Sequence, residues 1–194
     1  MPWWARVSSL LAPVLLIGGW TVAAALQQGG FDPVVRTISE LAAIDANQRW
    51  VMTLAIAGTG ACHLVTAAGL RPAARAGRVL LALGGLASIL VAAFPLPAGG
   101  GTSSTHRVVA FLSFVLLTVW APFSGVDGAD EPWGLRRRVA VVAGAVLGAI
   151  TLWFFVVLLM GGSDVGLAER CAAGAQAVWP AVVVASVPRL RSLT

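Results

Sequence analysis

The chain has 194 residues, of which 58% are apolar and only 11% are charged, whereas soluble domains contain about 25% charged residues. This composition excludes a soluble globular domain, and it excludes a disordered chain, which combines low hydrophobicity with high charge. The formal net charge of +5 does not indicate a nucleic-acid partner, because the basic residues are all arginines in short stretches between apolar runs. We therefore expect a multi-pass membrane protein, with no nucleic acid and no cofactor.

Six apolar runs are each close to the roughly 20 residues that cross a bilayer core. They predict an all-α bundle of six transmembrane helices, one domain over residues 1–194. The end of the first run, residues 23–25, resembles a signal-peptide cleavage site, but the run is longer than a usual signal-peptide core, so we interpret it as a retained helix. The predicted spans are 7–26, 50–70, 79–94, 108–123, 139–160 and 171–187.

The arginines predict the orientation of the bundle. With the N-terminus in the cytoplasm, nine arginines lie inside and four outside, which predicts both termini on the cytoplasmic side of a bacterial inner membrane. The absence of Lys beside abundant Ala, Gly, Val and Arg indicates a GC-rich bacterial genome. The inner arginines are Arg6, Arg71, Arg75, Arg78, Arg136, Arg137, Arg138, Arg189 and Arg191, and the outer ones are Arg36, Arg49, Arg107 and Arg170.

The connection after the first span, residues 27–49, is predicted to be the most structured loop. Thr37 and Glu40 have the spacing of a capping box, in which the Glu40 carboxylate reaches back to the backbone amide of Thr37. A short interfacial helix is therefore expected over residues 39–46. Asp45 and Gln48 are expected to cap the second span in the same way.

Ionisable side chains gather at the predicted outer span ends, where closed helix packing would bring them to one outward-facing polar basin. Ionisable groups at membrane depth are costly, so they are retained when they pair or have a function. In a structural interpretation, Glu40 and Glu169 form ion pairs that lock helix ends together, with Arg107 and Arg170 as partners. In a functional interpretation, the basin binds a lipid head group or supports acid–base chemistry. Its members are Asp32, Arg36, Glu40, Arg49, His106, Arg107, Asp164, Glu169 and Arg170.

Glu40 and Glu169 are the candidate catalytic residues of the functional interpretation. A carboxyl group in a poorly hydrated pocket has a raised pKa and acts as a proton donor, and Glu40 is the sharper candidate. The candidate substrate-binding residues are Asp32, Arg36, Ser39, His106, Arg107, Asp164 and Arg170.

The two histidines have separate interpretations. His106 opens the fourth span after a glycine-rich loop, where free backbone amides favour an anion, and an interfacial His in a flexible loop is the alternative. His63 lies deep in the second span, where Thr59 and Thr66 share its helix face and are expected to satisfy its imidazole. An intramembrane His is also a functional candidate. No second His lies at metal-ligand spacing, so no metal site is expected.

Small and aromatic residues indicate how the helices pack. Gly144 and Gly148 have the spacing that allows close helix approach, either within the chain or in a homo-oligomer. Cys62 and Cys171 lie at different predicted depths, which argues against a disulfide. Aromatic rings inside the spans suit an isoprenoid or acyl chain.

Residues 32–42 resemble the Ile-Ser-Asp/Glu-Leu-Gly/Ala signature that follows the first span in the bacterial and archaeal membrane family named domain of unknown function 998. Phe94-Pro95, His106 and residues 166–170 follow the family pattern in order and spacing. Glu40 stands where Asp is more frequent, which keeps the carboxylate, and Ala42 stands where Gly is more frequent. The resemblance covers nearly the whole chain and implies a six-helix bundle without established chemistry.

Three functions remain open from the sequence. The first is binding of a membrane lipid or an isoprenoid in the outer basin. The second is an intramembrane enzyme, a proton-initiated terpene cyclase with Glu40 or Glu169 as the acid, since small bacterial membrane-bound terpene cyclases are similar in size and helical character. The third is a structural or accessory membrane subunit.

Overall fold

The structure, a computed structural model, describes residues 1–128 and 130–188, so the predicted inner arginines Arg189 and Arg191 lie outside the described residues. As predicted, the described part of the chain is all-α. Two 3-10 helices, Ser39–Ala42 and Trp133–Leu135, lie in the connections. The long helices are α1 (Trp3–Ala25), α2 (Trp50–Gly69), α3 (Arg75–Ala93), α4 (Ser104–Phe123), α5 (Arg137–Met160) and α6 (Val165–Ser186).

The six helices form a closed ring in chain order. Each helix packs against the next, and α6 closes the ring against α1. Arg6, near the start of α1, donates hydrogen bonds to the carbonyl oxygens of Val187 (2.8 Å) and Pro188 (3.1 Å), just after α6. The start of α1 and the end of α6 therefore lie together, at what we call the terminal end of the bundle. The opposite end, where α1 ends and α6 begins, is the outer end.

Five helices, α1 to α5, are long and apolar enough to cross a membrane. Helix α6 has 22 residues, or about 33 Å at 1.5 Å per residue, but Glu169, Arg170 and Gln176 lower its apolarity. Several helices begin before the predicted apolar runs, because a helix continues through polar interfacial residues where an apolar run stops. Glu169 and Arg170 consequently belong to α6 and not to a loop.

Glycines allow neighbouring helices to approach closely. A Cβ atom on Gly85 of α3 would lie 2.6 Å from the carbonyl oxygen of Gly60 on α2. A Cβ atom on Gly144 of α5 would lie 2.5 Å from Cδ of Pro122 on α4. Gly144 thus lies in the contact between α4 and α5 within the chain. A homo-oligomer through Gly144 and Gly148 stays a prediction.

Polar side chains inside the ring bond to one another across helix pairs. Interhelical hydrogen bonds of this kind contribute about 0.6 kcal/mol each in membrane proteins. Gln176 of α6 joins this network, because its Nε2 donates to the hydroxyls of Thr118 (2.9 Å) and Thr151 (3.1 Å). The hydroxyl pairs are Ser8 with Thr66 (2.9 Å), Ser88 with Ser113 (2.9 Å) and Thr118 with Thr151 (3.0 Å).

The interfacial helix after α1 is shorter than predicted. It covers Ser39–Ala42 only, as a 3-10 helix, because Ala43 leaves helical geometry with a ψ of 155°. The capping box sets where this helix begins but does not prolong it, and residues 43–46 form turns instead.

The predicted caps of α2 are wrong. Arg49 occupies the N-cap position of α2, and no side chain caps the helix. Asp45 instead accepts a hydrogen bond from the backbone amide of Gly99 (2.7 Å), in the loop between α3 and α4. Gln48 has a positive φ of 51°, which turns the chain into α2. The Asp45 carboxylate therefore ties two loops of the outer end together.

We predict that the terminal end faces the cytoplasm, because the arginine excess lies there. The test uses single cysteines at Gly100, Ser163 and Asp130 in a Cys171→Ala background, with a membrane-impermeant maleimide. Positions 100 and 163 should label in intact cells, and position 130 only after permeabilisation. Labelling of position 130 in intact cells would reverse the orientation.

Candidate functional site

The outer segment, which we define as residues 31–42, is held on the first turns of α6 by hydrogen bonds. The backbone amide of Leu167 donates to the carbonyl oxygen of Val34 (2.9 Å). Arg170 donates from Nη1 to the carbonyl oxygens of Pro33 (2.7 Å) and Arg36 (2.8 Å). The segment is therefore fixed to the far end of the chain and does not lie free at the interface.

Gly166 explains how the two backbones come so close. A Cβ atom at this position would lie 2.7 Å from the carbonyl oxygen of Pro33 and closer still to that of Arg36. Backbones approach to this distance where glycine leaves room for them. The contact between α6 and the outer segment thus depends on residue 166 being a glycine, which has no side chain.

Glu169 is the carboxylate at the centre of this contact. Its side chain is almost completely buried, with the residue 4% exposed. Its Oε2 accepts a hydrogen bond from the backbone amide of Ile38, and its Oε1 accepts one from the hydroxyl of Ser39 (3.4 Å). Because a buried carboxylate without donors is costly, these bonds anchor the start of the 3-10 helix to α6.

Glu40 and Glu169 do not pair with the arginines predicted for them, Arg107 and Arg170. Glu40 pairs with Arg36, with 2.8 Å between Oε2 and Nε. Glu169 bonds to the outer segment as described above, and Arg170 bonds to carbonyl oxygens. Arg107 makes no ion pair with any residue that the structure describes. A partner four residues away requires little ordering of the chain, so the local pair forms in preference to a distant one.

Glu40 completes the predicted capping box. Its Oε1 accepts from the backbone amide of Thr37 (2.9 Å), and the Thr37 hydroxyl accepts from the backbone amide of Glu40 (3.3 Å). Burial raises the pKa of Glu40, but the hydrogen bonds from Thr37 and the charge of Arg36 outweigh it and hold the pKa below its ordinary value. The raised pKa expected for Glu40 as a proton donor is therefore wrong.

His106 connects α3 to α4. Its Nδ1 lies 2.7 Å from the carbonyl oxygen of Phe94, and its backbone amide donates to Oγ of Ser103, the N-cap of α4. The residue is buried, which rules out the interpretation as an interfacial His in a flexible loop. An anion site at His106 and Arg107 stays a prediction.

The remaining residues of the predicted basin are spread over the outer end. Asp32 accepts from the backbone amide of Val34 (2.8 Å) within the outer segment. Arg49 lies over the ring of Trp50, with 4.1 Å from Cζ to the centroid. Asp164 is the residue before α6 and makes no side-chain cap. The predicted residues that meet where the outer segment contacts α6 are Asp32, Arg36, Ser39, Glu40, Glu169 and Arg170.

A cavity of about 70 Å³ extends from the outer segment into the ring of helices, and we call it the central cavity. Ser39 and Glu169 line its outer end, and His63 and Gln176 line its inner part. Counted along the helices at about 1.5 Å per residue, His63 lies roughly 14 Å deeper than Glu169. The cavity is therefore long and narrow. Its walls are mostly apolar, with Leu16, Ile56, Val91, Phe114, Leu117 and Ala173 among the lining residues.

His63 is the unusual residue of the central cavity. It is fully buried, and neither ring nitrogen has a hydrogen-bond partner within residues 1–128 and 130–188. The expectation that Thr59 and Thr66 satisfy the imidazole is wrong. Thr59 donates to the carbonyl oxygen of Ala55 (2.8 Å), and the Thr66 hydroxyl bonds to Ser8. Threonines in helices bond readily to the preceding turn or to a neighbouring helix, so a shared face does not ensure contact.

Gln176 is a cavity residue that the sequence analysis did not select. Its Nε2 donates to the carbonyl oxygen of Phe114 and to two threonine hydroxyls. Its carbonyl oxygen accepts no hydrogen bond from the described part of the chain and remains available as an acceptor. A glutamine in an otherwise apolar span is the signal in the sequence that would have identified it.

The described residues contain no group of three or more His, Cys, Asp or Glu side chains that converges as metal ligands do. Cys62 and Cys171 are free, the first buried and the second exposed.

The fold and the site define an α-helical multi-pass membrane protein with polar groups at both ends of a cavity between its helices. Residues 10–186 match the family described as Protein of unknown function (DUF998), and the chain belongs to this family. The resemblance carried by the outer segment is thereby confirmed. No curated protein and no solved structure matches the chain.

Replacing Gly166 with Ala is expected to lower the free energy of unfolding by about 2 kcal/mol, because the added methyl group pushes the outer segment away from α6. Thermal unfolding in detergent measures the change. Gly174→Ala on the same helix is the matched control, since a Cβ there meets its nearest atom, in the Trp20 ring, at an ordinary 3.4 Å. Equal melting temperatures for the two variants would contradict the close contact at residue 166.

Replacing Glu40 with Gln is expected to cost about 1 kcal/mol of stability at neutral pH, because the amide loses the charge pair with Arg36 and weakens the capping bond. The native pKa lies below the unfolded one, so this stability is present above the unfolded pKa and is lost as pH falls through the native pKa. The difference between wild type and variant should therefore shrink in acid.

The control for this pH series is Glu131→Gln. Glu131 lies in a loop at the terminal end and forms no ion pair with another described residue. Its substitution should change stability little at any pH. A difference between wild type and Glu40→Gln that persists unchanged into acid would show that the Glu40 charge does not stabilise the outer segment.

Proposed function

We propose that the central cavity binds the hydroxyl-bearing end of one slender amphiphile, a single-chain membrane lipid or an isoprenoid. Ligand sites are typically apolar concavities with a few placed polar groups, and the central cavity has this character. Its mostly apolar walls suit a hydrocarbon chain. Thr59, Ser88 and Ser113 also line it, but their hydroxyls are already hydrogen-bonded, which leaves the polar groups of the two ends for a ligand. The polar basin expected at the protein surface thus becomes the mouth of a deeper site, with Ser39 and Glu169 at its outer end.

The observation that carries this proposal is His63. A neutral imidazole has one donor and one acceptor, and each costs roughly 1–3 kcal/mol when it is buried without a partner. A hydroxyl group satisfies either ring nitrogen, because it accepts from the N–H and donates to the bare nitrogen. An alcohol function on the ligand therefore matches the inner end of the cavity.

Gln176, on α6, supports the same assignment. Its amide nitrogen is held by Phe114 and by two threonines, which fixes the orientation of the group. Its carbonyl oxygen is then a placed acceptor at a depth similar to that of His63. A donor and an acceptor from two helices at one depth favour a ligand whose polar group reaches the middle of the membrane.

The size of the cavity bears on the cyclase alternative. A volume of about 70 Å³ has room for roughly five water molecules, which corresponds to the polar end of a ligand with a short hydrocarbon segment and not to a folded polyprenyl chain. A cyclase has to fold its substrate around the catalytic acid. Both oxygens of Glu169 already accept hydrogen bonds, and Glu40 does not line the cavity. The geometry therefore favours binding over cyclisation.

The binding proposal is tested by photolabelling the purified protein with a photoreactive prenyl alcohol and, separately, with a photoreactive fatty alcohol. Labelled peptides are expected on α2 and α6. Ala173→Phe fills the cavity and should reduce labelling at least tenfold. Val178→Phe is the matched control on α6, because Val178 does not line the cavity and is 40% exposed.

His63→Leu separates recognition from packing. Leucine keeps much of the side-chain volume and removes the two ring nitrogens that lack hydrogen-bond partners. The folded variant should therefore be at least as stable as wild type, and labelling should fall about tenfold. Equal labelling of Ala173→Phe and Val178→Phe would overturn the proposal. Absence of labelling in the wild type by both probes would instead favour the structural or accessory subunit.

A further inference from the structure

A second concave surface lies at the terminal end of the bundle, where α2 turns into α3. It is a groove of about 550 Å³ between the end of α2 and the start of α3. Arg71, Arg75 and Arg78 line it, together with apolar residues of both helices. We call it the basic groove. It is separate from the central cavity, and nothing in the proposed function depends on it.

The arginines of the basic groove form no ion pair with the residues that the structure describes. Residues 70–80 contain no acidic side chain. The two ion pairs of the described residues involve Arg36 and Arg137, so none of the three groove arginines is in one. Arg78 is positioned by bonds to the carbonyl oxygens at the end of α2, whereas Arg71 and Arg75 are exposed. The groove therefore presents concentrated positive charge.

The start of α3 makes the electrostatic potential of the groove more positive. The helix begins at Arg75, and its N-cap, Ala74, offers no side chain to the first-turn amides. Unpaired amides at a helix start attract anions, and the helix dipole acts in the same direction. Three arginines around an uncapped helix start form a site whose chemistry suits a phosphate group.

The other wall of the groove is apolar. Leu64, Val79 and Ala82 lie one to two helical turns from the helix ends, about 6–10 Å deeper along the bundle at 1.5 Å per residue. A ligand that fills the groove thus needs an anion at the membrane surface and hydrocarbon directly beneath it. A soluble phosphate or a nucleic acid provides no such hydrocarbon, whereas an anionic phospholipid provides both parts in this order.

We infer that the basic groove binds the head group of an anionic phospholipid from the leaflet at the terminal end. The phosphate lies among Arg71, Arg75 and the start of α3, and an acyl chain runs along Leu64 and Val79. Basic pockets between transmembrane helices recognise anionic lipids through this combination of charge and depth.

The test is native mass spectrometry of the full-length protein in a neutral detergent, titrated with phosphatidylglycerol, with phosphatidylcholine of the same acyl chains, or with inorganic phosphate. The wild type should bind phosphatidylglycerol most tightly. The double variant Arg71→Gln/Arg75→Gln should bind it about 30-fold more weakly, because each basic residue near an anionic surface contributes roughly fivefold. Arg71→Gln alone should show about a fivefold loss.

The matched control is Arg136→Gln/Arg138→Gln, which removes the same number of charges at two exposed positions of the terminal end, outside the groove. It should keep wild-type affinity for phosphatidylglycerol. Equal binding of the two lipids, or equal losses in both double variants, would overturn the site. Competition by inorganic phosphate at the same concentration as the lipid would show that the apolar wall contributes nothing, and would also overturn the assignment to a lipid.

Discussion

The burial of the Glu169 carboxylate is the constraint on which the outer end of the structure depends. Inside a helical bundle this group needs hydrogen-bond donors, and its donors are the backbone amide of Ile38 and the hydroxyl of Ser39. The outer segment is therefore drawn onto α6, and its residues Ile38 and Ser39 line the outer end of the central cavity. Gly166 and Arg170 serve the same contact, one by leaving space and the other by binding carbonyl oxygens.

Glu40 and Glu169 show why residue type alone does not assign chemistry. The two carboxylates are bound to the same short segment, but their surroundings differ. Glu40 is paired with a neighbouring arginine and with the local backbone, which lowers its pKa and uses its oxygens. Glu169 lies in α6 and lines the central cavity, so the buried carboxylate, and not the more exposed one, belongs to the proposed binding site.

The spans and the capping box were predictable from the sequence, whereas the caps of α2, the length of the 3-10 helix and the contacts between distant helices were not. The spans follow from apolar runs, and the capping box of Thr37 and Glu40 follows from a spacing of three residues. The bonds of α6 to the outer segment join residues at opposite ends of the sequence, and no spacing encodes them. His63 illustrates the same limit, because the expected threonine partners share its helix face but bond to other groups in the fold.

His63, Trp120, Trp179 and Arg170 each keep a buried side-chain nitrogen without a hydrogen-bond partner among the described residues, whereas the other polar side chains of the interior are bonded to one another. Hydroxyl pairs join α1 to α2, α3 to α4 and α4 to α5, and Gln176 connects α6 to this network. The bundle gains nothing in stability from an unpaired imidazole, since an apolar residue of similar size would avoid the desolvation cost. Of these four residues His63 is the one that lines the central cavity, so its two nitrogens are the unpaired groups on which the proposed binding of a hydroxyl group rests.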